Sequence, residues 1–221
     1  NDRAPCFFAE ADYLAYLHWL AEACRTYGVA IHAYCLMTNH ARQLLTPTRV
    51  GVLARVMQYP GRHYVSYVNR VHGRTGTLWE GRFKASLVDC EGYLLTLCRY
   101  IEQNPVRARM VARPDDYRWS SARAHMTQLR DERLTDHQVY WRLGTDDVSR
   151  REAYLALLGA PIEDEQLESI RAAARRNLPF GTERFKDQIE AVTHRRTRPG
   201  QAGRPARESN ATPPDQLTLE V

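Results

Sequence analysis

The chain has 221 residues, 43% of them apolar, and a mean hydropathy of −0.55. That balance belongs to a soluble globular chain with one domain of ordinary size plus extensions, or two small ones. No run approaches the roughly 18 apolar residues of a membrane span and no secretory core opens the chain, which argues against a membrane protein and a signal-bearing precursor. The first residue is Asn1 rather than Met, as expected of a processed chain or a fragment.

The formal charge is +5, from 31 basic and 26 acidic residues, and all but two of the basic ones (Lys84 and Lys186) are arginines. Arginine's planar fork grips phosphate bidentately. Residues 49–84 hold seven basic side chains and one acid, Glu80, while residues 195–207 hold five arginines and no acid. Nucleic acid is the partner such stretches point to, with a well-solvated surface as the plain alternative. The five cysteines are scattered without a close pair, so neither structural zinc nor a disulfide framework is expected, and a reducing cytoplasm fits.

In chain order, residues 11–27 have helical periodicity through Leu14, Leu17, Leu20 and Ala21, with Gly28 as a C-terminal stop. Residues 29–37 predict a strand, with Val29, Ile31, Ala33 and Cys35 in alternation. Thr38-Asn39-His40 turns the chain, and residues 41–45 return as a short strand closed by Pro47. Residues 50–71 are helical again through Leu53, Val56, Met57, Tyr64, Val65 and Val68, up to the break at Gly73-Arg74-Thr75-Gly76. A strand over 77–88 and a helix over 91–106 follow. This order is most of a split βαβ pattern, an antiparallel sheet with helices on one face. The strand that normally precedes the first helix is missing, since residues 1–9 are too short and too polar to supply it.

Farther on, residues 115–125 are expected to pack back on the core through Tyr117 and Trp119. Residues 150–158, 163–176 and 183–192 read as short helices, and from His194 the composition predicts a disordered tail. The expected division is a first domain over 1–125, a helical extension over 126–193 and the tail over 194–221.

Tyr100 and Asn104 are four apart and share a helix face. A tyrosine hydroxyl beside an oxygen donor is a nucleophile placed next to a metal ion. Taken alone, the same pair is equally a core tyrosine and an ordinary helix end before proline.

The combination is more specific. YCLMTNH at 34–40, GTLWEGRFKAS at 76–86 and YIEQNPVRA at 100–108, in that order, resemble the single-tyrosine HUH (IS200-like) transposases, and most closely their REP-associated branch. The resemblance covers roughly residues 1–125. It implies an α+β, ferredoxin-like antiparallel sheet carrying a His-hydrophobic-His motif for Mg²⁺ or Mn²⁺, with a nucleophilic tyrosine on a packed helix. Carried over, Tyr100 is the nucleophile, and His40 and Asn104 are metal ligands. The implied reaction opens single-stranded DNA beside a hairpin, leaves a 5′-phosphotyrosine and a free 3′-hydroxyl, and rejoins strands without a nucleotide cofactor. Arg62, Arg70, Arg74, Arg82 and Lys84 are candidate phosphate contacts. Trp79 is a candidate base-stacking residue, with core packing the alternative. Arg204 within Gly203-Arg204-Pro205 matches the core of a minor-groove arm. A cytoplasmic protein, monomer or homodimer, is expected.

Three positions depart from the pattern. His40-Ala41-Arg42 replaces the second histidine by arginine, and residues i and i+2 of a strand share a face, so Arg42 projects toward the expected metal position. A guanidinium has no lone pair to donate. Either Arg42 partly neutralises the scissile phosphate itself, or the site is disabled; impairment is the expectation, leaving a hairpin-binding protein or a decaying copy whose cleavage Arg42→His would restore. Pro60 falls inside a helical pattern and is expected to break it, and Arg109 stands where the family commonly has a helix-ending glycine.

Overall fold

In the computed structural model, which describes residues 4–199, the first amphipathic segment forms α1 (Glu10–Tyr27). Gly28 ends it at φ 68°, a left-handed conformation that glycine adopts without the steric cost of a Cβ. Its carbonyl accepts hydrogen bonds from the Thr48 amide and hydroxyl, and a Cβ at this position would meet Thr48 Oγ1 at 2.7 Å. Strands β1 (Val29–Met37) and β2 (His40–Pro47) follow as an antiparallel hairpin, paired from Met37↔His40 to Val29↔Pro47.

The register slips between Ile31 and Ala33, which leaves His32 as the extra residue of a bulge. The bulge re-phases the strand. Val29, Ile31, Tyr34 and Leu36 join one apolar cluster, while Ala33, Cys35 and Met37 join the other. A simple alternation through Val29, Ile31, Ala33 and Cys35 is therefore corrected: the four residues divide between two faces. His32 is held in the bulge by Thr135 O at 2.7 Å and Thr46 Oγ1 at 2.8 Å.

Both faces of the hairpin are covered, in contrast to the expected single helical layer. On one side lie α1 and α2 (Val52–Val71), packed on each other through Tyr16, Leu17, Leu20, Val56, Tyr64 and Val68. Buried Asp12 binds the Phe8 and Ala9 amides, each at 2.8 Å, and His72 Nε2 at 3.1 Å, tying the start of α1 to the end of α2. On the other side lies α3 (Cys90–Glu102), followed by the one-turn α4 (Asn104–Arg107).

Pro60 does not break α2. The helix runs through it with the ring fully buried, so its packing offsets the hydrogen bond that a proline forfeits. The expected strand over 77–88 is absent from the described structure. Gly76 and Gly81 adopt φ of 81° and 121°, outside the strand region, and Val88 makes only an isolated parallel bridge to Phe180. The expected helix over 91–106 is split at Gln103, because Pro105 has no amide to continue the ladder.

Where a further strand was expected, β1 finds another partner. Leu36 N donates to Trp119 O at 2.9 Å and Ser121 N donates to Tyr34 O at 3.0 Å, with Cys35 and Ser120 bridged in antiparallel fashion. Tyr117 is buried and its hydroxyl donates to Leu36 O at 2.7 Å. Residues 115–125 thus pack back as expected, through α5 (Ala122–Met126) as well.

Helices α6 (Gln138–Trp141), α7 (Asp147–Gly159), α8 (Asp164–Arg176) and α9 (Glu183–Thr193) follow among the described residues. Tyr154, Leu158, Ile170 and Phe180 enter the same apolar cluster as α3, so this region shares its core with the first 125 residues. Residues 194–199 are not a free tail: Thr197 is buried and Arg198 pairs with Glu183 and Asp187. Arg204 and the Gly203-Arg204-Pro205 sequence lie outside the described residues.

Candidate active site

Tyr100 sits in the last turn of α3, on the side that meets the hairpin, and is 4% exposed. Its position follows from the helix face that Leu94, Leu97, Cys98 and Ile101 bury against β1 and the C-terminal helices. In the ladder Arg42 stands opposite Cys35, and its guanidinium carbon lies 5.1 Å from the centre of the Tyr100 ring. Strand periodicity and the register thus bring the departing residue onto the candidate nucleophile.

Two further arginines meet Tyr100. Arg107 of α4 lies with its guanidinium carbon 4.5 Å from the ring centre, donates to the Tyr100 carbonyl through Nη2, and reaches Gln103 Oε1 at 3.4 Å. Arg171 of α8 interacts electrostatically with Tyr100 and forms an ion pair with Glu168 at 2.5 Å. Cations over an aromatic face are attracted by its quadrupole. Burial lowers the pKa of Arg107 to about 10, and the nearby charges of Arg42 and Arg171 add to the effect. All three guanidinium groups therefore crowd one tyrosine.

His40 lies at the head of β2. Its Nδ1 is 2.7 Å from Asn39 Oδ1, and its buried Nε2 has no hydrogen-bond partner. Burial, with the Arg42 charge second, pushes its pKa down to about 4, so the imidazole is neutral at pH 7. With Asn39 accepting from Nδ1, the lone pair is on Nε2. Asn104 opens α4 with a buried Nδ2 that also lacks a partner.

These donors do not fit a divalent cation of the Mg²⁺ type. Such an ion takes about six oxygen donors in near-octahedral geometry. The chain offers one imidazole and one amide, with a guanidinium where the second histidine was expected. Among the described residues no group of three or more His, Cys, Asp or Glu is placed to hold a metal.

The expected phosphate contacts are spread more widely. Arg62 and Arg70 are exposed on α2, which packs on the opposite face of the hairpin from Tyr100. Arg74 is half-buried over the Phe8 ring, with 5.3 Å between guanidinium carbon and ring centre. Arg82 and Lys84 are exposed on the segment before α3. Trp79 is half-buried and packs against Tyr16 and Tyr64 at 6.1 and 6.0 Å between ring centres, at the edge of the apolar cluster.

Sequence reasoning missed Arg107 and Arg171. Arg107 falls inside the quoted YIEQNPVRA stretch, two helical turns beyond Tyr100, and that spacing could have found it. Nothing local marks Arg171, which comes from the C-terminal region.

Residues 1–104 match the model of the family described as transposase IS200 like. The IS200-like stretch includes His40, Arg42, Tyr100 and Asn104 and stops short of Arg107 and Arg171. No curated protein and no solved structure matches the chain. Among the described residues no helix is long and apolar enough to cross a membrane.

Proposed function

We propose that the chain is a DNA transposase of the single-tyrosine HUH type, in its REP-associated branch, which cuts and rejoins single-stranded DNA next to hairpins in the cytoplasm with Tyr100 as nucleophile. One observation carries the reading: Tyr100, near the end of the stretch that matches the IS200-like family, has the guanidinium groups of Arg42 and Arg107 over its ring, with the charge of Arg171 nearby. Guanidinium groups recognise phosphate. The Tyr100 oxygen bonds to phosphorus, the bond from phosphorus to the 3′ oxygen breaks, and that oxygen takes up a proton as the phenol loses one. Attack by a second 3′-hydroxyl reverses the step. Exposed Arg62, Arg70, Arg82 and Lys84 supply contacts to the flanking DNA.

A labelled hairpin with single-stranded flanks tests the reading. A covalent adduct that survives denaturation and disappears with Tyr100→Phe is the expected result. A second reading, a hairpin-binding protein without cleavage, is favoured by the 4% exposure of Tyr100. Salt-sensitive hairpin binding with no adduct under any condition would establish that reading instead.

A further inference from the structure

Phosphoryl transfer is accelerated by positive charge held against the non-bridging oxygens, where charge is concentrated in the transition state. A divalent cation is one source of such charge. In this chain the donors for a cation are incomplete, and a guanidinium occupies the strand position of the missing one. Two elements that are far apart in sequence, β2 and α4, each hold a guanidinium over the Tyr100 ring, and α8 adds the charge of Arg171 nearby.

Their surroundings leave them available to an anion. Arg42 Nε is buried and has no hydrogen-bond partner. Among the described residues Arg107 donates hydrogen bonds to the neutral Tyr100 carbonyl and Gln103 Oε1. The carboxylate that pairs with Arg171 belongs to Glu168, whose side chain is 61% exposed, so solvent screens that pair. Crowding like charges in a partly buried place is costly, and an anion entering among them relieves the cost. A phosphodiester carries a negative charge and a pair of non-bridging oxygens that a guanidinium fork binds.

We propose that Arg42, Arg107 and Arg171 bind the scissile phosphate of single-stranded DNA at Tyr100 and take over the charge-neutralising role of a divalent cation. Arg42 is then a working part of the site rather than a lesion. Arg171 extends the site beyond the IS200-like segment into the C-terminal region. For its covalent step the proposal rests on the strand-transfer reading, whereas phosphate binding does not require it. The arginines exchange no proton and change no bond; they hold the phosphate and stabilise its charge.

The test measures binding of the full chain to a short fluorescent single-stranded oligonucleotide in EDTA, alongside adduct formation in EDTA and in Mn²⁺. Binding and adduct are both expected to persist in EDTA. Arg42→Gln and Arg171→Gln should each weaken binding by about tenfold or more and make its salt dependence shallower, with Arg42→Lys recovering part of the loss. Arg171 lies on a partly exposed helix face, so Arg171→Gln keeps the test valid if Arg42→Gln unfolds the chain. Arg42→His separates the two accounts of this position, since impairment predicts a gain of adduct in Mn²⁺ and the arginine site predicts a loss in EDTA. An adduct that forms only in Mn²⁺, or unchanged binding in both glutamine variants, would overturn the proposal and leave the transposase reading standing. Binding in EDTA that both variants lose, without any adduct, would uphold the phosphate site and defeat strand transfer.

Discussion

At the scale of single residues, Arg109 adopts a backbone conformation that glycine takes at lower cost. Its φ is 56°, and its amide donates to Val106 O at 2.9 Å as the chain leaves α4. A side chain in the left-handed region crowds its own backbone, at a cost of about 1 kcal/mol that glycine avoids. Arg109→Gly is expected to raise stability by about that amount in urea unfolding; a lower midpoint would show that the arginine side chain contributes more than its backbone costs. The same logic was legible at Gly28, where the residue type matches the conformation. Arg42 was legible only in part. Strand alternation placed it on the face of His40, but its position over the Tyr100 ring depended on how α3 packs.

At the scale of elements, the helix that carries Tyr100 is anchored by a buried carboxylate. Glu102 is inaccessible, with Oε1 accepting from Ser121 Oγ at 2.6 Å and paired with His125 Nδ1 at 2.5 Å, while Oε2 accepts from Tyr154 at 2.7 Å. Arg99 Nη2 donates to Ala160 O at 2.5 Å and Gln103 Nε2 to Leu158 O at 2.6 Å, so α3 is tied to α7 by neighbouring side chains. Removing one partner leaves the others buried and unsatisfied. Glu102→Ala is expected to cost about 3 kcal/mol or more in chemical denaturation, and a loss below 1 kcal/mol would mean that water replaces the carboxylate.

The pair also sets a pH dependence. Burial alone would lower the His125 pKa, but the charge and hydrogen bond of Glu102 raise it above the ordinary histidine value. The pair's contribution is therefore fully present below the unfolded histidine pKa of about 6.5, and is lost as pH rises through the raised folded value. Unfolding free energies measured from pH 6 upward should fall, and His125→Gln should flatten that slope.

At the scale of the whole molecule, the family match and the folding unit do not coincide. The match ends at Asn104, whereas the cluster around Tyr100 includes Tyr154, Leu158, Ile162, Ile170 and Phe180. A chain cut after Met126 would expose the α3 face that these residues cover and leave the Glu102 cluster without Tyr154. It is expected to lose cooperative thermal unfolding, and a sharp transition in that fragment would show that the first region carries its own complete core.

The sequence by itself determined the local elements: α1 with its glycine stop, the hairpin turning at Thr38-Asn39, α2, and the three longer C-terminal helices. Each is set by periodicity and terminal residues that act within a few positions along the chain. The motif stretches named Tyr100, His40 and Arg42 as candidates. Tertiary structure decided the rest. The bulge at His32 divided the strand between two cores, glycine conformations removed the strand over 77–88, and packing carried α2 through Pro60. It also brought Arg107 over the tyrosine ring and Arg171 near it, because attraction between side chains depends on distance in space and leaves no period in the sequence to read.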